Sequence, residues 1–124
     1  MTSDDHSRAA ALSAHRTALG AVGGDELSER PWQHPGQPAS DCDLVRLAAW
    51  KASATDVDAD VVMAGLGLIG AARAELDQVE AGLLFAARAS GVTFQQMAGA
   101  LGLGSGQAAQ QRMSRVLARL DAPS

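Results

Sequence analysis

Gln107, Gln111, Ser114 and Arg115 recur at helical spacing near the C-terminal end of the 124-residue chain, with Arg112 and Arg119 on the flank of that row. A glutamine amide pairs through two hydrogen bonds with the edge of adenine, and an arginine guanidinium pairs with guanine or with a phosphate. No carboxylate interrupts this stretch before Asp121, so nothing on it repels a phosphodiester backbone. The chemistry these residues could perform is recognition of a polyanion through its edges.

A helix must hold them. At about 100° per residue, Ala109, Met113, Val116, Leu117 and Leu120 form one apolar stripe, and Gln107, Gln111, Ser114 and Ala118 fall opposite it. Ser105 is placed to cap this helix. The preceding segment opens with Thr93-Phe94-Gln95-Gln96, a threonine followed three residues later by a glutamine, which is the pattern of a capping box. Phe94, Met97, Ala98 and Leu101 are expected to point inward, and Gly102-Leu103-Gly104 to make the turn. The spacing predicts a helix-turn-helix over about residues 93–120, with the helix at about 105–120 lying in the major groove of DNA. Thr93 and Gln95, at the start of the first helix, are candidates for a phosphate contact. No wing is expected after the second helix.

Upstream, three further helices are predicted, so the expected fold is all-α with about five helices. The first starts near Asp41 and carries Leu44, Val45, Leu47, Ala48 and Ala52, with Trp50 expected in the core. The second follows Thr55 as cap, with Asp56, Asp58 and Asp60 in its first turn and an end or kink near Gly70. The third runs from about Ala71 to Ala89 and stops at Gly91. Its Leu76, Val79, Leu83 and Ala86 have heptad-like spacing that fits either a core face or a dimer seam. Residues 1–40 differ in composition. An alanine-rich patch is followed by Gly20, Gly23 and Gly24, and then by Pro31, Pro35 and Pro38. They are expected to form a flexible, mostly disordered extension ahead of a helical domain at 41–124.

Other motifs lose to simpler readings. Gly65-Leu66-Gly67-Leu68-Ile69-Gly70 matches the dinucleotide pattern of glycines, but a helical pattern follows where that fold needs a second strand. Asp56, Asp58 and Asp60 begin like a calcium loop, yet Val61 and Gly67 stand where glycine and glutamate are required. His6, His15 and His34 have no cysteine or histidine partner nearby in sequence, and Cys42 is the only cysteine. No nucleophile and base are spaced for catalysis, so no enzyme activity, cofactor or metal is expected.

The net charge is −4, but residues 1–80 hold 6 basic and 13 acidic groups, whereas residues 81–124 hold 4 arginines against Asp121. The basic end coincides with the expected DNA-facing helix. A single cysteine and an acidic N-terminus without an apolar run fit a cytoplasmic protein with no secretory signal or membrane span. A lone recognition helix binds modestly, so a homodimer reading two half-sites is expected. Two other expectations are an adaptor that docks on RNA polymerase or a sigma factor, and a nucleoid-associated protein of low sequence preference.

Taken together, the segments Ala71-Ala-Arg-Ala-Glu-Leu-Asp-Gln-Val-Glu80, Ala86-Ala-Arg-Ala-Ser-Gly-Val-Thr-Phe94 and Ala100-Leu-Gly-Leu-Gly-Ser-Gly-Gln-Ala-Ala-Gln-Gln-Arg112 resemble a group of small actinobacterial helix-turn-helix proteins, described as DNA-binding proteins or transcriptional regulators. The resemblance covers about residues 56–120 and implies DNA binding and transcription regulation. In the family pattern an arginine follows the serine of the turn and an aromatic follows the Gln-Arg pair. Here those positions hold Gly106 and Met113, so a contact at the start of the helix is missing.

Overall fold

The computed structural model describes residues 3–121, and what the sequence led us to expect for residues 1, 2 and 122–124 lies outside them. The described chain is all-α: α1 (Ser3–Ala21), a one-turn 3-10 helix (Gly24–Glu26), α2 (Asp41–Ala52), α3 (Ala59–Gly67), α4 (Ile69–Ala89), α5 (Phe94–Leu101) and α6 (Gly106–Asp121). It divides into two compact units, residues 1–73 and 74–124, with the division falling inside α4.

Within the stretch expected to form a flexible extension, residues 3–21 are helical and contribute to the first unit. α1 is helical over 19 residues, and its Leu19 is fully buried in a cluster with Leu44, Ala48, Val61, Ala64 and Leu68. Alanines 9, 10, 11 and 14 give the backbone high helix propensity, and Leu12 packs on the same cluster one side of the helix below Leu19. Arg16 clasps the first residue of α2 through two bonds, Nε to Asp41 Oδ1 at 2.8 Å and Nη2 to Oδ2 at 2.9 Å. That bond, outweighing the effect of burial, raises the Arg16 pKa further.

The proline-rich segment is irregular, as expected, but it is tied down by side chains standing in for secondary structure. Gln33 Oε1 accepts from the Arg30 amide, while its Nε2 donates to the Pro38 carbonyl at 3.2 Å. Gln37 Oε1 accepts from His34 N at 3.0 Å, and Glu29 Oε1 from Gly36 N at 3.0 Å. These bonds do for a chain with few backbone pairs what a helix ladder would otherwise do. Trp32 stays 80% exposed within it.

The glycines of the would-be dinucleotide motif have a packing role. Gly65 is buried in α3, where a Cβ would collide with that of Ala48, and a Cβ on Gly67 would occupy the space filled by the His15 ring. Both absences let α3 approach α2 and α1 closely, which outweighs the propensity lost by glycine in a helix. α3 ends at Gly67, a few residues earlier than Gly70, and Leu68 is fully buried at the break. Its N-cap is Asp58, whose Oδ1 accepts from Asp60 N at 2.9 Å, and not Thr55. Trp50 is the larger correction: it is 71% exposed. The core of α2 is built from Leu44, Leu47 and Ala48, and Trp50 lies off that buried face.

In the second unit, Leu84 of α4 packs with Met97, Ala98 and Ala109, and Val92, Phe94, Leu103 and Met113 close the cluster. The chain leaves α4 at Gly91, as the sequence indicates, with a φ of 85°. Leu76, Val79 and Leu83 of α4 are exposed, so the heptad-like row is not part of the core.

Candidate nucleic-acid interface

α5 and α6 are each specified by local chemistry. Thr93 Oγ1 accepts from Gln96 N at 3.1 Å and Gln96 Oε1 accepts from Thr93 N at 2.9 Å, so the capping box closes in both directions. Gly102 stops α5 at a φ of 72°, a left-handed conformation that favours glycine, and Leu103 N then bonds to Ala98 O at 2.8 Å. That bond holds half-buried Leu103 against the cluster between the two helices. Ser105 Oγ accepts from Ala108 N at 3.1 Å and starts α6.

The two helices are also pinned to each other. Gln95 Oε1 accepts from Gly106 N at 3.1 Å, so a side chain of α5 satisfies one of the free amides at the head of α6. A Cβ at Gly106 would stand 3.1 Å from Gln95 N and 3.3 Å from the Phe94 carbonyl carbon. This close approach gives a physical reason for glycine where the resembled family carries arginine. Gly106→Ala is therefore expected to lower stability by about 1 kcal/mol through backbone crowding. Gly104→Ala, which meets nothing within 4 Å, is expected to be neutral, and paired thermal melts check the contrast.

Along α6, Ala109 and Val116 are fully buried, and Gln107, Gln110, Gln111, Ser114 and Arg115 are exposed and line one shallow groove. The nine residues singled out from sequence separate into two sets. Thr93, Gln95 and Ser105 spend their side-chain oxygens on the caps described above. Ser114 Oγ donates to Gln110 O at 3.2 Å within its own helix. Arg112 turns back to α4, where Nε meets Glu80 Oε2 at 2.7 Å and Nη2 meets Oε1 at 3.4 Å. Arg119 follows one rung further on, with Nη2 at 3.4 Å from Asp77 Oδ1. The side chains that remain outward and without a hydrogen-bond or ionic partner among the described residues are those of Gln107, Gln111 and Arg115, together with Gln110, which the sequence pattern did not single out. Its signal was present: Gln110 is three residues from Gln107 and four from Ser114, on the same side of the helix.

These ion pairs revise the charge argument. The positive balance of residues 81–124 is cancelled in the unit as a whole by Glu75, Asp77 and Glu80. Within the second unit, Arg88, Arg112, Arg115 and Arg119 face four acids, Glu75, Asp77, Glu80 and Asp121. Arg88 stacks on the Phe94 ring at 4.4 Å and donates to Val92 O at 3.0 Å. Arg115 is thus the one arginine of this unit with no partner among the described residues.

The hydrogen bond from Arg112 holds the Glu80 carboxyl below its ordinary pKa, against the opposing effect of partial burial, and Arg112 is raised in turn. A depressed carboxyl stabilises the fold above the unfolded value and loses that contribution as pH falls through the folded one. The expected window opens at about pH 4 and extends below it. At neutral pH the pair contributes up to about 1 kcal/mol, since Arg112 remains partly solvated. Glu80→Gln should lower the melting temperature slightly at pH 7 and flatten its fall between about pH 5 and pH 3 relative to the parent chain.

No protein-family model matches the chain, and neither does a curated protein or a solved structure. Among the described residues, no group of three or more His, Cys, Asp or Glu side chains is gathered to hold a metal ion, and no helix is long and apolar enough to cross a membrane.

Proposed function

We propose that this chain is a DNA-binding regulator of transcription, in which α5, the turn and α6 act as a helix-turn-helix and α6 enters the major groove. The observation that carries the reading is the exposed row Gln107, Gln111 and Arg115 at i, i+4 and i+8, free of internal partners and of acidic neighbours on its own helix face. It begins at the head of α6, the end from which recognition helices reach base edges. Gln107 and Gln111 suit adenine, and Arg115 suits guanine or a phosphate. The likeness to actinobacterial helix-turn-helix regulators noted above points the same way, and a protein acting in the cytoplasm on the nucleoid fits it.

The exposed Leu76, Val79 and Leu83 on α4 supply an apolar row with which two copies could pair, giving the symmetric dimer that two half-sites require. A monomer by light scattering at micromolar concentration would remove that part of the proposal.

One observation favours a second reading, an adaptor for RNA polymerase or a sigma factor. With Arg112 and Arg119 paired to carboxylates, the second unit is electrically balanced, and a glutamine-rich face on a neutral body also suits a protein partner. Gel shifts against genomic and random duplexes separate the cases. A preference of about a thousandfold or more supports a sequence-specific regulator. Equal retention of both duplexes supports a nucleoid role, and no retention at low salt supports the adaptor.

A further inference from the structure

A cavity of about 460 Å³ opens beside the end of α2 and the loop leading into α3, wholly within the first unit. Val22, Val57 and Val61 give it an apolar wall, Trp50 stands at its side, and Lys51, Asp56 and Asp58 bring charge to its lining. Val61 belongs to the core cluster and Val22 packs on it, so the cavity borders the core, and the proposed DNA interface does not use it.

Three features of this cavity agree. Its volume falls in the range of small-molecule sites. Trp50 is 71% exposed, so its aromatic surface is left open to solvent. The lining carries two carboxylates against one ammonium, and none of the three forms an ion pair with a described residue. Asp58 uses Oδ1 to cap α3, and its other oxygen has no hydrogen-bond partner among the described residues. The carboxylates outnumber the ammonium by one, and an aromatic ring beside a lining of net negative charge attracts a cation with weakly hydrated alkyl groups. An anion would meet Asp56 and Asp58, and a neutral apolar ligand would desolvate them without return.

We propose that this cavity binds a small organic cation with an apolar body, a quaternary ammonium or alkylated amine. Its charge is held by Asp56 and Asp58, and its methyl or methylene groups lie against Trp50 and the valines. The inference does not depend on the DNA-binding reading.

The chain has two tryptophans, so Trp32→Phe leaves Trp50 as the sole indole reporter. Fluorescence of that variant is titrated with choline and with its uncharged carbon isostere, in which a tert-butyl group replaces the trimethylammonium. The expected result is a saturable change with choline and at least about tenfold weaker binding of the isostere. Adding Asp56→Asn and Asp58→Asn should weaken choline by about tenfold or more with the melting temperature unchanged, because asparagine also caps helices. Should the pair disturb folding, Asp56→Asn alone carries the test, since the Asp56 side chain makes no hydrogen bond with a described residue. A response to choline that never saturates, equal affinity for both probes, or choline binding undiminished in the Asn variants would each overturn the proposal.

Discussion

Leu19→Ala is expected to destabilise the first unit by about 2–5 kcal/mol, the range for removing a leucine from a closed core. Leu19 is fully buried and touches a cluster drawn from α2, α3 and the α3–α4 break, so no solvent fills the space it leaves. The side chain also sits one residue before Gly20, which is itself buried, so the surrounding backbone has little room to collapse into the cavity. Urea unfolding of the full chain checks this, with α1 signalled by the early loss of helical ellipticity. A passive extension would give a change within about 0.5 kcal/mol.

The second large effect is on binding. Gln111→Ala with Arg115→Ala should weaken specific DNA binding by at least about thirtyfold, since each base contact contributes about 1–3 kcal/mol of discrimination. Both side chains are exposed and unpartnered on α6, so the thermal melt should be unchanged. Arg112→Ala is a contrasting control: its guanidinium is engaged by Glu80, so its loss should register in stability at least as much as in affinity. An affinity for duplex DNA that survives the double substitution would mean that another face makes the contact.

The parts of this fold legible in the sequence are those specified by near neighbours. Thr93 and Gln96, Gly102, and Ser105 each act within one or two turns, and the apolar stripe of α6 is a simple period. Features set by distant partners were not legible. Arg112 and Glu80 are 32 residues apart, and nothing in either position's local pattern indicates that the arginine turns inward to α4 and away from solvent. Trp50 was expected in the core, but it stands off the apolar stripe of α2, on the opposite side of the helix, and is exposed. Residues 27–40 carry the composition of disorder, yet glutamine side chains take the place of backbone partners there. Gly65 and Gly67 resemble a phosphate loop only while Ala48 and His15, which occupy the space beside them, are unknown.

The most direct test of the central claim is the affinity of the full chain for duplex DNA measured across a range of salt. With Arg115 as the unpaired arginine of the second unit in each copy and helix N-termini assisting, few counterions are displaced at the proposed interface. Retention at about 50 mM salt is expected, with a shallow slope of log K against log salt, about −2 to −4 for a dimer. Absence of any complex at the lowest salt would contradict it.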